Sequence, residues 1–66
     1  MINITINGEA TLLADTSTLA QLLAQRGCGN SVVTAVNDTF VPRSRHSSHV
    51  LREGDRVELL SPMEGG

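Results

Sequence analysis

Apolar positions in the first segment recur at every second residue. Ile2, Ile4 and Ile6 alternate with Asn3 and Thr5, so a strand here carries β-branched side chains on one face and polar ones on the other. Asn7-Gly8 follows, a pair suited to a two-residue type I′ turn, which needs positive φ at both positions. A second strand is expected over 10–14, with Leu12 or Leu13 facing the core. The period changes after Asp15-Thr16-Ser17-Thr18. Thr18 and Gln21 have the capping-box spacing, and Leu19, Leu22 and Leu23 make one apolar stripe at i, i+3 and i+4. Gly27 stands where a left-handed helix end belongs. A helix this short does not stand alone in water and must dock on a sheet.

The second half returns to strand patterns. Val32, Val33, Ala35 and Val36 read as a central strand, Asn37-Asp38 as a turn, and Thr39-Phe40-Val41 as a short strand ended by Pro42. Proline cannot donate to a ladder, which places that strand at an edge. Residues 43–49 are polar and irregular, with Val50 and Leu51 expected to pin them to the core. Glu53-Gly54-Asp55 reads as a turn and 56–61 as the last strand. The order ββαβββ, with one helix for about five strands, calls for an α+β layer pair. The expected core holds Ile2, Ile4, Ile6, Leu12, Leu19, Leu22, Leu23, Val33, Ala35, Leu51, Val57 and Leu59.

Composition narrows the class. Sixty-six residues make one domain with a thin core. Five Arg, no Lys and seven acids give a net charge of −2, which argues against nucleic-acid binding by charge. One Cys cannot form an internal disulfide, as suits a reducing compartment. The first residues lack the basic and apolar regions of a signal peptide, and no apolar run approaches a membrane span. A soluble, cytoplasmic protein is expected.

No catalytic constellation is expected. Cys28 follows the helix, where the dipole disfavours a thiolate. His46 and His49 match no zinc spacing with it and read as solvated loop residues, so no metal site is expected. Arg43, Arg45 and Arg52 either solubilise a loop or meet an acidic partner. The remaining feature is the end, Gly65-Gly66. Chain without Cβ atoms can thread a channel that side chains would block. Extended, the five residues 62–66 span roughly 17 Å, enough to carry a carboxylate into another protein's active site.

These pieces together resemble a known family. Asn7-Gly8-Glu9, Thr18-Leu19-Ala20-Gln21-Leu22-Leu23, Ala35-Val36-Asn37, Val41-Pro42-Arg43, Gly54-Asp55-Arg56-Val57-Glu58 and the final Gly65-Gly66 are similar to ThiS, the ubiquitin-like sulfur carriers of thiamine biosynthesis. The resemblance spans essentially the whole chain. It implies a β-grasp domain over 1–61, a mixed sheet with the helix packed on one face, and a C-terminal tail over 62–66. It further implies that the Gly66 carboxylate is adenylated and then converted to a thiocarboxylate. The implied partners are a ThiF-like adenylating enzyme, a cysteine desulfurase-type sulfur donor and thiazole synthase. The chain would be a co-substrate and not an enzyme. It would bind no cofactor itself, ATP being used by the adenylating partner.

Within that frame Gly66 is the reacting end, Gly65 gives access, and Met63 and Glu64 are tail contacts. Phe40, Val41 and Leu60 are expected to form an exposed docking patch, with Arg43 as a further partner contact. The free protein is expected to be a monomer. Alternative readings are a carrier for molybdopterin synthesis, which also uses a C-terminal thiocarboxylate, a ubiquitin-like protein modifier, and a non-covalent β-grasp binding module. Pro62 leans toward the molybdopterin relative, Val41-Pro42-Arg43 toward the thiamine branch.

Overall fold

The computed structural model describes residues 1–27 and 32–60. Strand β1, Ile2–Ile6, turns at Asn7 and Gly8 into β2, Glu9–Leu13. Both turn residues have positive φ, 51° and 87°, as a type I′ turn requires. Asn37 and Asp38 repeat the device at φ 52° and 69°, joining β3, Val33–Val36, to β4, Thr39–Val41. Strand β5 is Arg56–Leu60. The sheet order is β2-β1-β5-β3-β4. Strands β1 and β5 pair in parallel and every other pair is antiparallel. Strand β3 is interior and β4 lies at an edge, as Pro42 demands. This is the α+β arrangement of the β-grasp, with β5 joining the two hairpins.

Helix α1, Leu19–Arg26, covers one face. Its capping box is complete: the Gln21 N–H donates to Thr18 Oγ1 at 3.2 Å, and the Thr18 N–H donates to Gln21 Oε1 at 2.8 Å. Gly27 closes it at φ 70°. The two N–H groups that the box leaves over are met from far along the chain. Leu19 N–H donates to His49 O at 2.9 Å and Ala20 N–H to His46 O at 3.0 Å. The β4–β5 connection therefore caps the helix. Before the cap, Thr16 holds a left-handed φ of 66°. A β-branched residue there costs on the order of 1–2 kcal/mol. The turn is closed by Ser17, whose N–H and hydroxyl both donate to Ala14 O.

The core consists of Ile4, Ile6, Leu13, Leu19, Leu22, Leu23, Val36, Val41, Leu51 and Val57, with Ile2 and Leu59 packed against it. Three expected members lie elsewhere. Leu12 is 59% exposed and Leu13 takes its place, because Leu13 pairs with Ile2 on the helix side. Val33 is exposed and Ala35 only half-buried. The register with β5 sets Val36 beside Val57 and Thr34 beside Leu59, so these two positions face the helix. Both phases of the Val33–Val36 strand carry apolar residues, and period two alone does not choose between them. Val50 is also exposed, leaving Leu51 to pin the connection. His46 departs from the solvated reading too. It is buried, and its Nε2–H donates to Val41 O at 3.2 Å.

Thr34 is fully buried, and its hydroxyl has no hydrogen-bond partner among the described residues. An unpaired buried hydroxyl costs about 1–3 kcal/mol. Thr34→Val keeps the shape and removes that cost. It should raise the thermal midpoint by about 4–8 °C, read from a melt of the two proteins, since about 1 kcal/mol moves a domain of this size that far.

Candidate functional site

Among the described residues, one α-helix lies on one face of the five-stranded sheet and no element covers the opposite face. Side chains alternate along each strand, so this outer face collects the positions between the core residues. Leu60 on β5 lies opposite Val33 on β3. Ala35, two residues on, has Glu58 on one side and Phe40 of β4 on the other. Phe40 and Leu60 are each 62% exposed. Together Leu60, Val33, Ala35 and Phe40 make a continuous apolar strip across three strands, with Glu58 at its border.

Two expected patch members, Phe40 and Leu60, thus share this face. Val41 does not. It is 6% exposed and pairs with Thr34, pointing into the core because it follows Phe40 by one residue. Val33 and Ala35 stand in its place. Their signal was present in the sequence as the second apolar phase of β3. Arg43 opens the short 3-10 turn Arg43–Arg45 and is exposed, and its carbonyl accepts from His46 N–H at 3.1 Å. That turn sits beyond the β4 end of the strip, on the far side of Pro42.

Leu60 is both a strip residue and the last described residue of β5, so the strip adjoins the point where 61–66 begin. Gly66, Gly65, Glu64, Met63 and Cys28 lie outside the described residues. The strand that leads to the tail is gripped at its exit by Asn7. Leu59 N–H donates to Asn7 Oδ1 at 2.9 Å, and Asn7 Nδ2 donates to Leu59 O at 3.2 Å.

Polar chemistry on the described surface is sparse. Met1 ammonium pairs with Asp15 at 2.8 Å and Arg56 with Asp38 at 3.1 Å, both pairs exposed and worth little. No three His, Cys, Asp or Glu side chains gather as a metal-holding group among the described residues. No described helix is long and apolar enough to cross a membrane. What the geometry offers is an apolar face next to the root of a glycine-ended segment.

No curated protein matches the chain. The chain is similar to the crystal structure of the thiamine biosynthesis protein ThiS from Geobacter metallireducens, with a TM-score of 0.84 and 26% identity. The match covers 98% of this chain and 100% of that one. It is also similar to the NMR solution structure of a thiamine biosynthesis protein from the same organism, with a TM-score of 0.82 and 26% identity. That match covers 98% of this chain and 88% of the other. The profile of the ThiS family matches residues 3–66, from the first strand through Gly65-Gly66, and the chain therefore belongs to the ThiS family.

Proposed function

We propose that this protein carries sulfur for thiazole formation in thiamine biosynthesis on the carboxylate of Gly66. The supporting observation is that the family match runs through residue 66, so the Gly-Gly end is part of what the chain shares with the family. An ionised carboxylate, with a pKa near ~3.5, is a poor electrophile. In the proposed step a Gly66 carboxylate oxygen attacks the α-phosphorus of ATP on a ThiF-like adenylating enzyme, and pyrophosphate leaves. A persulfide, left on a desulfurase-type donor when cysteine becomes alanine, then displaces AMP through its terminal sulfur, and a thiol reduces the resulting acyl disulfide, ending as a disulfide and leaving the thiocarboxylate. Thiazole synthase takes the sulfur from it. The carrier contributes no acid, base or bound cofactor of its own.

The outer apolar strip is the proposed docking face, with Phe40 and Leu60 at its two ends and Arg43 as a flanking contact. Gly65 lets the end enter the partner's channel, and Met63 and Glu64 line its approach, Glu64 facing a cation there. The reaction consumes ATP and needs a thiol-rich supply, which places it in the cytoplasm.

Intact mass spectrometry tests the proposal. The protein is incubated with ATP, an adenylating enzyme of this pathway, a cysteine desulfurase and cysteine. Exchange of one oxygen for one sulfur, localised to Gly66, is expected. An unchanged mass with enzymes shown to be active on another carrier rejects it.

A further inference from the structure

Strands β1 and β5 pair over only two positions, Thr5 with Arg56 and Ile6 with Val57. The last backbone bond of this ladder runs from Asn7 N–H to Val57 O at 2.9 Å. Beyond it the Asn7 backbone turns away at φ 51°, while β5 continues through Leu59 and Leu60. The next pair of β5 groups on this side, Leu59 N–H and C=O, would lose its partner. The Asn7 side chain supplies one. Its amide accepts from Leu59 N–H at 2.9 Å and donates to Leu59 O at 3.2 Å, pairing as a backbone peptide group would.

The turn itself does not ask for this. Glycine satisfies positive φ at least as well as asparagine. The other type I′ turn does the same at the opposite end of the strand. Asn37 Oδ1 accepts from Arg56 N–H at 2.9 Å, and Asn37 Nδ2 donates to Asp55 Oδ1 at 3.0 Å. Asparagines of the two hairpin turns thus hold β5 at its entry and at its exit, and the exit is where 61–66 begin.

We infer that Asn7 is a positioning residue for the carrier reaction: its amide holds the end of β5 and so fixes the point at which residues 61–66 begin. This rests on the carrier function proposed above. Without the amide, Leu59 loses its support on the β1 side, and the end of β5 is held from β3 alone through the pairing of Thr34 with Leu59 and Val33 with Leu60. A strand end held on one side only samples more orientations, and restricting them carries an entropic cost at the reacting end, so the expected loss is in turnover more than in docking.

Asn7→Gly tests this, since it keeps the turn and removes only the amide. Asn7→Asp is the second variant. It tolerates the same φ and can accept from Leu59 N–H but cannot donate to Leu59 O when ionised. Hydrogen exchange at Leu59 and initial rates of sulfur gain against carrier concentration are measured at a temperature where melts show every protein folded. In Asn7→Gly the Leu59 amide should exchange faster while Leu22 and Val57 keep their protection. Its kcat should fall about tenfold with a smaller change in KM, and Asn7→Asp should lie between. A folded Asn7→Gly with kcat within about twofold of wild type overturns the inference and leaves the carrier function standing. A uniform loss of protection that tracks the loss of rate also overturns it, because the role is then structural. If the wild-type protein takes up no sulfur beside active enzymes, the carrier function itself fails, and the inference with it.

Discussion

Deleting Gly65 and Gly66 should leave a protein that melts with the full-length chain yet gains no sulfur. The described strands, helix and core are all built from residues up to Leu60, so the deletion removes no residue of these elements. The shortened chain still ends in a carboxylate, now on Glu64. Loss of charging would therefore not mean that a carboxylate is missing. It would mean that the carboxylate sits too close to the domain and carries a side chain. Gly66→Ala separates those two causes, because it keeps the length and adds one methyl. One methylene's misfit in a fitted pocket is worth about 10- to 200-fold, so a loss in that range is expected from this variant. Mass spectrometry of the charging reaction and a thermal melt on the same samples check both variants. Charging of the deletion variant at the wild-type rate would remove Gly66 from the reaction.

The largest effect on the fold itself should come from Leu19→Ala. Leu19 has no exposed surface and opens α1 at the point where three segments meet. Its own N–H is taken by His49 O, and the neighbouring Thr18 and Val50 form an isolated bridge. Truncating a buried leucine to alanine costs about 2–5 kcal/mol, the upper end applying where the surroundings cannot collapse into the cavity. Here one side is a sheet and the other a capped connection, and neither is free to move in. A chain of this length is held by only about 3–10 kcal/mol, so the variant should be partly or wholly unfolded at 25 °C. Urea unfolding followed by circular dichroism gives the midpoint directly. A midpoint unchanged from wild type would mean that α1 does not depend on this contact.

Much of this architecture was legible before any coordinates. The isoleucine alternation, the Asn7-Gly8 pair, the Thr18/Gln21 box and Gly27 are local signals, each decided by residues a few positions apart. Each appears in the structure as the local physics requires. The helix stripe Leu19, Leu22 and Leu23 was legible for the same reason, since a 3.6-residue period leaves one choice of face. The family's series of short motifs and the Gly-Gly end were likewise plain in the chain.

Strand faces and loop contacts were not legible, because distant partners decide them. Leu12 against Leu13 was settled by the pairing of Leu13 with Ile2, and Val33 and Ala35 against Val36 by the register with β5. A slip of one residue inverts a strand's faces, and an apolar run such as Val33–Val36 shows no preference by itself. The same rule put Val41 in the core and left Phe40 outside. His46 read as a solvated loop residue because nothing local announces that its carbonyl will cap a helix 26 positions earlier or that its ring will meet Val41 O. Asn7 read as a turn former, which it is. Its second task, at Leu59, exists only once a parallel strand has been brought alongside. The sequence by itself determined the elements, their order and the glycine end, because these follow from short-range sterics and period. Only the tertiary structure decided which faces are buried, what holds the root of the tail, and that an apolar strip lies open beside it. Those depend on register between strands far apart in the chain.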